Sequence, residues 1–335
     1  MTGKKALQLI CVFAALGALC WLLSRIGWQT ISVAVGQIGW LIGSVLFLLA
    51  LAENVLDGLA LRVIMGPSLK VTRALTVNAA GSMLNLLLPW ESGEVLKGTL
   101  LKGPFGTPRS VSSTIIWNYI FKISRPALSL LTALLAALLC HQVSGKILAL
   151  VVLANVLAFA PYFVLRFIIR FGAAERLMRL MRKLPYLRRS PGHWVDIARN
   201  IDGEVRGFWR QRPLAYIQVF VLQFLARTTG WLNIFLGFRA VGVPMSVADA
   251  TLMYATMNVA EYLIAILPAR VGVSEGTAFF VCKLYGFNAP IGLVVYAFLR
   301  MRNIIVYGLL TPFAFLGQTG KGKPEPTIAA GAGGP

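Results

Sequence analysis

The chain is organised by long apolar runs rather than by the alternating or striped patterns of a soluble protein. Runs of about twenty apolar residues, the length a helix needs to cross roughly 30 Å of hydrocarbon, fall near 6–24, 38–60, 113–140, 147–169, 214–238 and 290–317. They predict six membrane-spanning helices and an all-α, polytopic fold. Two further apolar segments, 78–102 and 249–287, are interrupted. The first contains Asn85-Leu-Leu-Leu-Pro89-Trp-Glu91-Ser-Gly93-Glu94, and the second Ile266-Leu-Pro268-Ala-Arg270-Val-Gly272-Val-Ser-Glu275. Each is a Leu-Pro-x-x-x-Gly break with a carboxylate just beyond it. Proline removes an N–H and disfavours helix in the residue before it, while glycine lets the chain turn and restart. Such breaks survive at membrane depth only where protein, water or a ligand covers the freed backbone groups. We read each segment as a re-entrant pair of half-helices; an ordinary span closed by a Pro-Gly loop is the plainer alternative.

Pro89 and Pro268 lie 179 residues apart, and the same offset brings 38–60 onto 214–238 and 113–140 onto 290–317. Each half then reads as span, span, re-entrant hairpin, span. An odd number of crossings sets the second half upside down, the inverted-repeat plan of many secondary transporters. The expected organisation is one membrane domain over 1–317, with halves 1–140 and 147–317, and a disordered tail over 318–335.

Composition agrees with a bilayer setting: 57% of residues are hydrophobic, 13% are charged, and the mean hydropathy is +0.73. The formal charge of +20 is first a topological signal. With the N-terminus inside and both breaks re-entrant, twenty-one Lys and Arg fall on the inner side and five on the outer. That bias predicts a cell (inner) membrane protein with both termini cytoplasmic. Nucleic-acid binding is not needed to explain the charge, since no zinc-finger, RNP or basic-zipper pattern accompanies it. The run after Lys4-Lys5 is too long for a signal peptide and has no Ala-x-Ala site, so it counts as the first span. Cys11, Cys20, Cys140 and Cys282 have no metal or redox spacing, and His141 and His193 stand alone; no metal or cofactor is expected. In the basic loop 170–212, Leu177, Leu180, Met181 and Leu184, then Trp194, Ala198, Ile201, Val205 and Phe208, fall at helical spacing. They predict two amphipathic helices lying on the inner leaflet.

Charges within apolar segments supply the candidate chemistry, because an ionised group in hydrocarbon is costly and marks a pathway or an internal partner. Glu53, Asp57, Lys122, Arg125, Arg227, Glu261, Arg300 and Arg302 are of this kind. Pairing of Glu53 or Asp57 with Lys122 or Arg125 is one expectation, and snorkelling of Asp57 and Arg302 to the span ends is another. At the breaks, the N–H groups of half-helices restarting near Gly93 and Gly272 would form anion sites. Lys97, Lys122, Arg125, Arg227, Arg270 and Arg300 would add charge-assisted bonds to a lipid phosphate. Glu91, Glu94 and Glu275 would meet a cationic headgroup or cap the half-helices.

Asn85-x-x-x-Pro89-x-x-x-Gly93-Glu94 followed by Lys97, together with Pro268-x-x-x-Gly272-x-x-Glu275, resembles the lysylphosphatidylglycerol synthase transmembrane-domain family over nearly the whole chain. The chain departs from the usual pattern with Trp90-Glu91 where Gly-Arg is common and Lys97 where Arg is common. The resemblance implies a flippase-like domain that moves a phospholipid, aminoacyl phospholipid or lipid-linked precursor between leaflets. Synthase activity is not expected, since the stretch after 317 is too short for an aminoacyl-transferring domain. The expected partners are membrane lipids with anionic headgroups, with a homo-oligomer or a membrane enzyme partner left open. Rival readings are a subunit scaffolding a lipid- or glycan-modifying enzyme and a membrane glycosyltransferase. A phosphotransferase related to Asn54-x-x-Asp57-Gly58-x-x-Leu61-Arg62 lacks the further acids that two metal ions need.

Overall fold

Backbone in hydrocarbon has only itself to bond with, so long apolar runs close into helices. The computed structural model describes residues 28–87, 92–139, 145–160, 163, 175–176, 193–264 and 273–316. Among them lie ten helices and no strand: α1 Trp28–Met65, α2 Val71–Leu87, α3 Ser92–Phe105, α4 Thr107–Leu139, α5 Gly145–Leu157, α6 His193–Gln211, α7 Pro213–Ala240, α8 Val247–Ile264, α9 Val273–Leu284 and α10 Ala289–Leu316. Four are long and apolar enough to cross a membrane: α1 from Ile38 onward, α4, α7 and α10. They coincide with the runs predicted at 38–60, 113–140, 214–238 and 290–317. The run at 6–24 lies outside the described residues, and the run at 147–169 is described in part, as α5. Within α1 the helix is broken at Gly39, with φ 67° and ψ 158°, and the next residue, Trp40, is 93% exposed. That is a fitting place for an aromatic residue at a membrane surface.

Both interrupted segments are pairs of short helices. The 17 residues of α2 and the 14 of α3 extend about 25 Å and about 21 Å at 1.5 Å per residue, less than the four long helices. They run antiparallel, with Asn85 against Gly93 and Gly81 against Lys97. Alongside α10, Arg73 near the start of α2 bonds to the Ala314 carbonyl, while Met83 packs with Ile304 and Tyr307. Met83, near the end of α2, therefore lies level with the middle of α10. In the second segment, Ser129 of α4 bonds to Ala255 O of α8 at 3.3 Å and Arg125 bonds to Asn258 at 2.7 Å. Asn258 of α8 thus lies level with the middle of α4. The open end of the first hairpin shares its end of the bundle with Met65, Arg109, Arg212 and Ala314. That of the second packs with Ile38, Phe238 and Met245 at the opposite end.

The packing is reciprocal. Helix α1 lies against α7; α2 lies on α10 while α8 lies on α4; α3 lies on α4 while α9 lies on α10. Glycines of positive φ close the matching junctions, Gly66 after α1 and Gly242 after α7, Gly106 before α4 and Gly286 before α10. Small residues on α2, namely Ala74, Ala79, Ala80 and Gly81, are buried and let the backbones approach, the usual means of helix association in a bilayer.

One prediction about the basic loop changes. Val195, Ala198, Ile201, Val205 and Phe208 of α6 are buried, but against protein. Ile201, Val205 and Phe208 join Ile116, Tyr119, Ala215 and Val219 in one cluster, Trp209 meets Tyr119 edge-on, and Ser112 bonds Glu204 at 2.7 Å. The stripe was legible and its receiving surface was not, because amphipathicity does not say whether lipid or protein covers the apolar face. The first predicted amphipathic stretch, at 177–184, lies outside the described residues.

Candidate functional site: a buried belt of charge

The first hairpin is held by a close helix crossing that only glycine permits. A Cβ on Gly93 would overlap the Gly81 carbonyl oxygen and lie 2.7 Å from Asn85 Oδ1. At this crossing Asn85 Oδ1 accepts the Gly93 N–H at 2.8 Å, and Asn85 Nδ2 donates to Glu94 Oε1 at 3.2 Å. Asn85 is therefore the cap of α3, and the Gly93 N–H that the sequence offered to an anion is engaged by it. One turn on, Lys97 ion-pairs with Glu94 at 3.0 Å. Lys97 is 0% exposed, its stem runs beneath Gly81, and its ammonium sits 3.4 Å over the Trp117 ring. A lysine is tolerated here because a carboxylate and an aromatic face together replace its water.

Trp117 joins this cluster to a second one between α1 and α7. Its indole N–H donates to the Asp57 carbonyl at 3.1 Å, its own carbonyl accepts from Gln223 at 3.2 Å, and its ring stacks on Phe121 at 5.2 Å. Phe121 in turn carries the Arg227 guanidinium at 4.5 Å. Arg227 is ion-paired to Asp57 and lies 3.4 Å from Glu53. Lys97 and Arg227 thus stand on one pair of stacked rings, each with its own carboxylate. Beside them Asn54 accepts from Asn78 at 3.0 Å, and the Tyr254 hydroxyl donates to the Arg227 carbonyl at 3.2 Å. Buried polar atoms normally find partners. Here Asp57 Oδ1, Asn78 Oδ1, Arg227 Nε, Gln223 Oε1, Glu94 Oε2 and Lys97 Nζ, the last within ion-pair distance of Glu94, have no hydrogen-bond partner among the described residues.

The structure thus brings together Asn85, Gly93, Glu94, Lys97 and Arg227 among the predicted site residues. Arg125 belongs to the neighbouring α4–α8 contact through Asn258. Lys122 is half-buried on α4 and Arg300 is buried on α10. Glu91, Arg270 and Gly272 lie outside the described residues, as does the Glu275 side chain; Glu275 falls in the first turn of α9. Two expectations about charge are corrected. The partner of Glu53 and Asp57 is Arg227 rather than Lys122 or Arg125, so Asp57 does not snorkel. Nor does Arg302: it sits near the middle of α10, 2% exposed, bonded to Leu46 O at 2.8 Å and Asn233 Oδ1 at 2.7 Å.

Sequence reasoning missed Trp117 and the buried amides. A signal existed for two of them: Asn54-x-x-x-Gly58 and Asn233-x-x-x-Gly237 stand 179 residues apart, and all four residues are buried. Trp117 gave no signal, since an aromatic residue in an apolar helix reads as packing. The described residues contain no cluster of three or more His, Cys, Asp or Glu side chains able to hold a metal ion. Among curated proteins and among solved structures, none matches the chain. The family model described as the lysylphosphatidylglycerol synthase TM region matches residues 7–311.

Proposed function

The chain belongs to the lysylphosphatidylglycerol synthase transmembrane family, and on that premise we propose that it moves a lipid with an anionic or zwitterionic headgroup between the leaflets of the membrane. The observation that carries this reading is the pair of helical hairpins. Their open ends lie at opposite ends of the bundle and their described residues run inward beside a buried belt of cations and carboxylates. A scaffold subunit has no need of such a belt. A headgroup path does, because a charge on a helix at the bilayer centre costs on the order of 3 kcal/mol or more without internal partners. The acyl chains would remain in lipid while the headgroup passes along the belt.

The reciprocal packing and the matched positive-φ glycines support an inverted repeat of two halves, each with two described spans and a re-entrant hairpin. Gating would then proceed by one half rocking against the other around a fixed site. The end bearing Arg62, Lys102, Arg109 and Arg212 is assigned to the cytoplasm by its positive charge, and the membrane to the cell membrane. In this reading the protein is a transporter without enzymatic activity. The test is reconstitution into proteoliposomes with fluorescent phosphatidylglycerol, phosphatidylethanolamine and lysylphosphatidylglycerol, read by quenching from one side. Protein-dependent movement of one or more of these is expected. Movement no faster than in empty liposomes for all of them would refute the proposal.

A further inference from the structure

Away from the belt, the end of α1 collects arginines and no acid. Its last carbonyls have no partner within the helix, and two arginines from other helices take them. Arg212, at the start of α7, donates to Val63 O and Ile64 O, both at 3.1 Å, and Arg109, in the first turn of α4, donates to Met65 O at 2.7 Å. Three consecutive carbonyls thus bring two guanidinium groups side by side. Each also rests on a ring, Arg212 on Phe208 and Arg109 on Phe105, both at 5.7 Å. Arg62, in the last turn of α1, adds a third charge and keeps a buried Nε with no hydrogen-bond partner. No carboxylate among the described residues pairs with any of the three. A guanidinium carries five N–H groups. The bonds to α1 use two on Arg212 and one on Arg109, so most of these donors remain uncommitted, on a residue that is exposed at Arg212 and half-buried at Arg109. Two residues after Arg212 an apolar lane begins: Leu214, Ile217, Val221 and Leu225 are 74%, 55%, 46% and 46% exposed and recur at helical spacing on one face of α7. From Leu214 to Leu225 the lane runs about 17 Å at 1.5 Å per residue, close to the roughly 15 Å of hydrocarbon in one leaflet.

We propose that Arg109 and Arg212 hold the phosphate of an anionic phospholipid of the adjacent leaflet, with its acyl chains along the lane that begins at Leu214. This lipid is a resident ligand of one end of the bundle, separate from the belt, and its binding does not depend on whether the protein moves lipid. Guanidinium groups suit the phosphate, since their planar donors match its oxygens two at a time. A lipid of net negative charge is specified because the arginines bring positive charge with no acid to balance it, and a zwitterionic headgroup would return a cation to the same place. A free phosphate would meet the guanidinium groups but leave the lane unused. Since Arg109 belongs to α4 and Arg212 to α7, and both are bonded to the end of α1, one phosphate ties together the ends of three helices.

The test is native mass spectrometry of the purified, delipidated full chain with dioleoylphosphatidylglycerol and dioleoylphosphatidylcholine. Wild type should keep phosphatidylglycerol under activation that strips phosphatidylcholine. In the double variant Arg109→Gln/Arg212→Gln the amides can still donate to the α1 carbonyls, but affinity for phosphatidylglycerol should fall at least tenfold, since each basic residue near an anionic lipid is worth roughly fivefold. Should the double variant not fold, Leu214→Glu decides. It sets a carboxylate at the head of the lane on a residue 74% exposed, and should weaken phosphatidylglycerol by roughly fivefold. Phosphatidylglycerol with a diazirine on one acyl chain should crosslink within 214–225 in wild type and not in the weakened variant. Equal retention of the two lipids, wild-type phosphatidylglycerol binding by a folded variant of either kind, or crosslinking only outside 214–225 would each overturn the proposal. So would inorganic phosphate raising the thermal midpoint as much as dihexanoylphosphatidylglycerol does, which would mark a free-anion site.

Discussion

Gly93→Ala tests whether the first hairpin is as close as described, and the structure supplies its own control in Gly98→Ala. Both replace a helical glycine by alanine, which by helix propensity alone gains roughly 1 kcal/mol. At Gly98 the nearest atom to the new methyl group is Thr114 Oγ1 at 3.7 Å, an ordinary contact, so most of that gain should be realised. At Gly93 the methyl group would overlap the Gly81 carbonyl and press on Asn85 Oδ1 at 2.7 Å. A carbonyl belongs to the backbone and cannot rotate aside, so the helices must separate. Overpacking of this kind costs about 1 to 3 kcal/mol, and loss of the bond between the Gly93 N–H and Asn85 costs about a further 1 kcal/mol. Set against the propensity gain, the net loss is about 1 to 3 kcal/mol. Gly81→Ala should fall between the two, since its methyl group meets the Lys97 stem at 2.6 Å and Gly93 O at 2.9 Å and a side chain can yield. Thermal unfolding in one detergent at one scan rate should rank the proteins Gly98→Ala, wild type, Gly81→Ala, Gly93→Ala from most to least stable. A Gly93→Ala protein as stable as Gly98→Ala would refute the close crossing and, with it, the route by which Lys97 reaches Trp117.

Three further outcomes follow from the belt. In a double-mutant cycle of Asp57→Asn and Arg227→Gln, each single change should cost about 3 to 5 kcal/mol because it strands a buried charge. The double change should cost at least 1 kcal/mol less than the sum; strict additivity in chemical denaturation would show that the pair is not coupled. Glu94→Gln retains an acceptor for Asn85 and loses the ion pair with Lys97. Stranding Lys97 should lower its stability; measured per folded protein it should transport at least tenfold more slowly, and a wild-type rate with a wild-type pH profile would reduce Glu94 to a cap. Single cysteines at Lys102 and Lys283, near the open ends of the two hairpins, should react with impermeant maleimide from opposite faces of the membrane; labelling from the same face would refute the inverted arrangement.

Much of the frame was legible in the sequence because the bilayer enforces it. Four apolar runs became four long helices, and the Pro-Gly breaks fell between α2 and α3 and between α8 and α9. Partner identity was not legible. Asp57 and Arg227 are 170 residues apart, and the helices carrying them are apolar on nearly every face, so no periodicity singled out the pairing face. Arg302 was misjudged for a related reason. A long basic side chain can reach a membrane surface from some depth, and only the position of Asn233 and Leu46 on neighbouring helices shows that it turns inward instead. Lys97 could be placed at the break from sequence, but the ring that shelters it is supplied by α4.

The polar contacts divide by which proposed half supplies each partner, and the division bears on motion. Asn85 with Gly93, Glu94 with Lys97, Lys97 with Trp117 and Asn54 with Asn78 each lie within the first half. Asp57 and Glu53 with Arg227, Arg125 with Asn258, Leu46 with Arg302 and Arg73 with Ala314 each join the first half to the second. The 179-residue offset sets Asp57 over Leu236, Arg227 over Leu48 and Lys97 over Gly276, so the offset that aligns the proposed halves does not align these charges. A rocking motion between halves can carry the first set intact and must remake the second. The hairpin with its lysine would therefore travel as a rigid body, and the barrier would be set by the arginine contacts across the interface.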